Sequence, residues 1–200
     1  MAPVRAATEK FMSDQSPLLC QADQSVLLVV DIQTRLARAM PEGSLDQLNR
    51  NLARLLRAAD LLSVPVLVTE QYPQGIGPTL DEIREQLPQA AQIVEKTTFS
   101  ACEATEFMEV LAVTDRRQVV VAGMEAHVCV LQTAIELHRA GYEVFVVQDC
   151  ICSRVHANAE FAVQRMRDAG IRGTVCESVL FEWMRDSRHP HFKTISALIR

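Results

Sequence analysis

The chain has 200 residues, 48% hydrophobic and 22% charged, which fits one globular domain with a substantial core. A formal net charge of −5, with arginines dispersed along the chain, offers no basic field for a phosphate backbone, so nucleic acid is not an expected partner. No apolar run approaches the roughly 18 residues of a membrane span, and the first twenty residues lack an apolar signal core; the expectation is a soluble, cytoplasmic protein with no membrane contact.

Residues 1–17 read as a partly flexible extension and residues 18–200 as a single domain. "SVLLVVD" (25–31) is a short β-branched run without internal charge, the pattern of a strand buried on both faces. Leu45, Leu48, Leu52, Leu55, Leu56, Ala59 and Leu62 then recur at helical spacing, opened by a capping box of Ser44 and Gln47. "VPVLVTE" (64–70) is a second strand. Thr79 with Glu82 marks another capping box and a short helix, and "AQIVE" (91–95) a shorter strand. "QVVVAG" (118–123) and "YEVFVVQD" (142–149) are strands flanking a helix over 128–140 that Gly141 ends. A helix over 157–169 stops before Gly170, "GTVCES" gives a sixth strand, and the tail from Ser178 reads as helical with a break at Pro190.

Strands alternating with helices predict right-handed crossovers and a mainly parallel six-stranded sheet, a three-layer α-β-α, Rossmann-like α/β fold. Ligands in such sheets bind outside the carboxyl ends of strands, where the winding reverses. Three strand ends carry reactive groups: Asp31 after the first, Lys96 after the third and Cys129 after the fourth. A helix N-terminus and a nearby lysine both favour a thiolate, which predicts a lowered pKa for Cys129. A carboxylate in reach can take the thiol proton and return it to a leaving amine, the role open to Asp31. Spacing alone leaves ordinary readings open: Asp31 as a cap, Lys96 as a solvated charge, and Cys129 as core like the other five cysteines, Cys20, Cys102, Cys150, Cys152 and Cys176.

From about Ser25 to its end, the sequence resembles the isochorismatase-like cysteine hydrolase superfamily. The resemblance rests on "LLVVDIQ", "EKTTFSA" and above all "VVVAGMEAHVCVLQTAIELHRAGYEVFVVQDCICSR", in which Cys150 stands where the family has alanine. "VTEQYPQGIGPT" and "HPHFKTISALI" narrow the likeness to the small isochorismatase-domain-containing proteins. The resemblance implies a catalytic triad of Asp31, Lys96 and Cys129. It also implies a cis peptide between Met124 and Glu125, and an oxyanion hole made by the Glu125 and Cys129 backbone amides. The implied activity is cysteine-dependent cleavage of a small amide-type C–N bond through a Cys129 thioester, in a dimer or larger homo-oligomer with a small-molecule substrate. The helix after Cys129 and the segment holding Trp183 and Phe192 are candidate contacts for that assembly.

Nicotinamidases of the superfamily place an aspartate-and-histidine metal cluster between the positions of Asp31 and Lys96. All five histidines here follow Lys96, so neither a metal nor a cofactor is expected. Gln33, Leu36, Tyr72 and Phe99 are candidates for the substrate pocket, with plain packing as the alternative. Three other functions compete with this one. "DIQT" is similar to the aspartate motif of haloacid-dehalogenase-like phosphatases, but Gln33 cannot donate the second aspartate's proton. A degenerate oligomer binding a metabolite or partner would keep the site without turnover. Redox sensing through Cys150 and Cys152 meets the obstacle that residues two apart in a strand are poorly placed for a disulfide.

Overall fold

The computed structural model describes residues 18–199; the expected extension over residues 1–17, and Arg200, lie outside them. Six strands form one sheet: β1 (Ser25–Val30), β2 (Val66–Gln71), β3 (Gln92–Lys96), β4 (Gln118–Met124), β5 (Glu143–Cys152) and β6 (Arg172–Thr174). Every pairing is parallel and the spatial order is β3-β2-β1-β4-β5-β6, so the winding reverses between β1 and β4.

The helices are α1 (Thr34–Ala37) and α2 (Glu42–Leu62) after β1, α3 (Pro73–Ile76) and α4 (Asp81–Arg84) after β2, and α5 (Thr105–Val113) after β3. After β4 comes α6 (Leu131–Arg139), after β5 α7 (His156–Asp168), and after β6 α8 (Cys176–Met184) and α9 (Phe192–Ala197). Alternate residues of β1 serve opposite layers. Leu27 and Val29 pack with Leu52 and Leu56 of α2 and Leu180 of α8, whereas Val26, Leu28 and Val30 pack with Phe107 of α5, Leu137 of α6 and Met166 of α7. That two-sided burial is why the strands read as unbroken apolar runs. Each fully buried leucine contributes about 1.5–3 kcal/mol, so the α2 stripe alone anchors its layer firmly. Trp183 is buried and donates from Nε1 to Ser25 Oγ at 3.0 Å; it packs α8 onto the sheet instead of facing outward as an assembly contact.

Several boundaries differ from the sequence reading. Helix α2 begins at Glu42 with Pro41 as its cap residue, and α4 begins at Asp81 after Leu80, so neither proposed capping box forms. Thr79 instead donates its backbone N–H to Glu70 Oε1 at 2.7 Å. The sixth strand is three residues long and Cys176 already opens α8, because Asp149 Oδ1 accepts the Cys176 N–H at 2.8 Å and caps the helix from β5. The terminal break spans residues 185–191, so it includes Pro190 as expected, but it opens earlier, at Arg185, φ 63°. Helix α5 has no counterpart in the sequence reading.

Gly123 sets how closely the two strands at the switch point approach. It sits opposite Val30 at φ 131°, and a Cβ there would collide with the Val30 carbonyl oxygen. Only glycine lets β1 and β4 close together at this position.

Candidate active site

Asp31 leaves β1 at φ 50°, a left-handed conformation that aspartate tolerates better than most residues. The parallel register then brings three strand ends to one place: Thr69 lies opposite Val30, and Gln71 lies opposite Lys96. Lys96 is therefore the last residue of β3, one position nearer the sheet than expected.

Asp31 and Lys96 form a fully buried ion pair, with Nζ 2.7 Å from Oδ2. The other carboxylate oxygen, Oδ1, accepts from Thr69 Oγ1 at 2.7 Å. Lys96 Nζ also donates to Gln71 Oε1 at 2.8 Å and faces the carbonyls of Thr98 and Phe99 at 3.2 Å each, which uses all the directions an ammonium offers. Thr69 and Gln71 went unnoticed in the sequence. Their signal was their spacing, two residues apart on one face of β2, which aims both side chains at the same rim.

The thiol of Cys129 joins this pair. Beyond β4 the Met124–Glu125 peptide is cis, and Ala126–Val130 forms a π-turn that runs into α6. Within it the Glu125 carbonyl accepts the Val128 and Val130 amides at 3.0 and 3.3 Å. The bond an α-helix would make to that carbonyl, from the Cys129 amide, is absent among the described residues. Both Asp31 and Lys96 lie near enough to act on the Cys129 thiol through charge, in opposite directions.

The titration of these groups corrects the expectation of an acidic thiol. Burial, then the Asp31 charge, pushes the Cys129 thiol up to about 12, outweighing the ammonium of Lys96. The turn opens at Ala126, so Cys129 is also not the first residue of its helix. Asp31 is raised as well: desolvation prevails over the opposing pull of Lys96, Thr69 and Cys129. The resting pair is a protonated thiol beside a carboxylate more basic than usual.

The four pocket candidates separate. Gln33 is buried, and its amide is committed to the backbone: Nε2 donates to the carbonyls of Gln71 at 3.0 Å and Gly77 at 2.6 Å, while Oε1 accepts the Gln71 N–H at 2.7 Å. It holds the ends of β1 and β2 together and is not turned to solvent. Leu36 packs half-buried against the core. Tyr72, 53% exposed, lines a cleft of about 330 Å³ that reaches Lys96, with Gln74, Glu95, Thr98, Glu103 and Glu106 among its walls. Phe99 is 55% exposed on the same rim. A larger cleft of about 590 Å³ lies away from the triad, between the start of α2, the end of β5 and α7. Chemistry outweighs size here, because only the smaller cleft contacts a triad residue. Among the described residues, no group of three or more His, Cys, Asp or Glu side chains is placed to hold a metal ion, and no helix is long and apolar enough to cross a membrane.

A parallel doubly wound sheet with carboxylate, ammonium and thiol gathered at its switch point defines the class of protein. The chain belongs to the isochorismatase-like hydrolase family: residues 25–178 match the model of the Isochorismatase domain. It is 34% identical over 175 residues to isochorismatase domain-containing protein 2 of Danio rerio, covering 88% of this chain and 86% of that protein. Among solved structures it resembles one described as MAR1 ribonuclease from Caenorhabditis elegans, with TM-score 0.85, 36% identity and coverage of 90% and 92% of the two chains. YcaC from Pseudomonas aeruginosa, described with hexane-2,5-diol and covalent acrylamide, is similar at TM-score 0.83, 25% identity and coverage of 93% and 98%.

Proposed function

We propose that this hydrolase cleaves a small amide-type C–N bond, with Cys129 as nucleophile, Asp31 as the acid and base, and Lys96 as the cation that supports both. One observation carries the reading: the fully buried 2.7 Å pair of Lys96 and Asp31, with the Cys129 thiol near enough for both charges to act on it. A carboxylate raised by burial is a stronger base than an ordinary one, and a neutral thiol gives up its proton as it attacks. The S–H proton passes to Asp31 while the Cys129 Sγ bonds the carbonyl carbon. The ammonium of Lys96 then faces a thiol turning into a thiolate and a carboxylate turning neutral, so the net charge of the buried cluster does not change.

Collapse of the tetrahedral intermediate breaks the C–N bond, and Asp31 returns its proton to the leaving amine. Asp31 then takes a proton from water, the oxygen adds to the thioester carbon, and the S–C bond breaks. The departing sulfur recovers the proton and the acid product leaves. The Glu125 and Cys129 amides would donate to the oxyanion at both stages, a contribution of about 3–4 kcal/mol per donor in comparable sites. Covalent acrylamide in the YcaC structure supports the reading, since acrylamide is an electrophile that thiols attack.

The name of the C. elegans relative raises the question of RNA cleavage. The net charge of −5 and the glutamates around the Lys96 cleft speak for a small neutral or cationic substrate over a phosphate backbone. A cytoplasmic homo-oligomer completes the proposal, with the exposed Tyr72 and Phe99 as the rim such an assembly would shield.

Screening a library of small amides and then assaying Cys129→Ala and Asp31→Asn on the best substrate tests the function. Both variants should lose turnover by at least about a thousandfold. Full turnover in Cys129→Ala would sink it, whereas a wild type that turns over no amide of the library would favour the degenerate-site reading.

A further inference from the structure

The turn from Glu125 to Val130 carries everything the proposed chemistry asks of β4: two backbone amides and the thiol. A π-turn is a wide and uncommon arrangement, and among the described residues no side chain caps its start. Its grip comes from β5. The parallel register places Gly123 opposite Ile151 and Met124 opposite Cys152, so the segments leaving the two strands continue side by side.

Glu125 and Arg154 meet there. Oε2 of Glu125 accepts the Arg154 backbone N–H at 3.1 Å and its Nε–H at 3.0 Å. The Glu125 side chain is 7% exposed and that of Arg154 57%, so a buried carboxylate is held by a guanidinium reaching in from the surface. A buried carboxylate is strongly disfavoured without its partner, which pins the first residue of the turn. The third is pinned beside it, with His127 Nδ1 2.9 Å from Ser153 Oγ. Ser153 itself is buried. Cys129 follows two residues later.

We infer that Ser153 and Arg154 are positioning residues for the nucleophile: acting through His127 and Glu125, they hold the turn so that the Cys129 thiol stays against Asp31 and Lys96. The functional meaning rests on Cys129 being the nucleophile, but the grip itself can be measured without a substrate.

The test is iodoacetamide alkylation of Cys129 in the full chain, read by peptide mass spectrometry from about pH 6 to about pH 10, a range that spans the ordinary thiol pKa. Wild type, Ser153→Ala, Arg154→Ala and Arg154→Lys are compared, alongside their thermal unfolding. In the wild type the rate should climb with pH without levelling off. Releasing the turn should free the thiol from its buried, carboxylate-facing position. Both alanine variants are then expected to react at least about fivefold faster at neutral pH and to level off within the range, with Arg154→Lys closer to wild type.

Alanine variants that fold and keep the wild-type rate and profile would overturn the inference, even if they melt at lower temperature, because Ser153 and Arg154 would then be merely structural. If Arg154→Ala does not fold, Ser153→Ala decides by the same profile. Failure of the nucleophile reading shows separately, as undiminished turnover in Cys129→Ala.

Discussion

At the end of β1 an aspartate meets a thiol and an ammonium; towards the end of β5 another aspartate, Asp149, meets one thiol, an asparagine and a backbone amide. The residue types nearly match, yet the two places differ in what their carboxylates are free to do. Asp149 Oδ2 accepts Asn51 Nδ2 at 2.9 Å, and Oδ1 accepts the Cys176 amide at 2.8 Å. Cys176 turns its own thiol to the Asn51 carbonyl at 3.4 Å, while Cys150, buried beside it, is only 3.9 Å from Asp149 Oδ1 and titrates well above an ordinary thiol. That cluster ties α2, β5 and α8 together. In the Asp31 cluster the partner is instead a buried cation, so a proton can move from sulfur to carboxylate without stranding a charge. On the proposed mechanism a thiol beside a carboxylate is therefore not yet a nucleophile, and the fully buried ammonium makes the difference.

Substitutions can break this contrast. The largest expected effect is on turnover: Cys129→Ala should remove at least about a thousandfold while barely moving the melting temperature, whereas Cys150→Ala, the residue the family places there, should leave turnover intact. Lys96→Met should cost about 3–5 kcal/mol in a denaturation experiment, because it leaves the Asp31 carboxylate buried and unpaired, and it should abolish turnover as well. Asp149→Ala should cost less, about 1–3 kcal/mol, by orphaning the first amide of α8. It should leave the alkylation profile of Cys129 unchanged, and a changed profile would merge the two clusters into one network.

The smallest effect is on pH dependence. Asp31 must be ionised to act as base and its pKa is raised, so kcat/KM should fall with decreasing pH through a limb above the ordinary carboxylate value of 3.8. The Thr69 hydrogen bond lowers that pKa, so Thr69→Val should move the limb to higher pH. A limb moving the other way would mean that Thr69 does not act on the ionised carboxylate.

The strands, the layers and the placing of Asp31, Lys96 and Cys129 on one rim were readable because two-sided burial writes itself into apolar runs whose ends share one edge of a parallel sheet; the strand order came only from the folded chain. What escaped depends on partners far away in the chain. The start of α8 is set by Asp149, 27 residues upstream, so "GTVCES" looked like a strand. Gln33 looked like a pocket residue because its partners, Gln71 and Gly77, lie 38 and 44 residues downstream. Helix α5 buries only Phe107 and Leu111 and has no side-chain cap, too little periodicity to stand out. The helix terminus and lysine that favour a thiolate could be read from spacing. The desolvation that overrides them could not, because burial belongs to the folded chain.

The central claim is a covalent bond to Cys129, and acid quenching of the enzyme during turnover of an amide substrate, followed by peptide mass spectrometry, tests it most directly. The account predicts the mass of the substrate's acyl group on the peptide holding Cys129, and its loss together with turnover in Cys129→Ala. Steady turnover with no acyl adduct at any quench time, and an equal rate in Cys129→Ala, would contradict it.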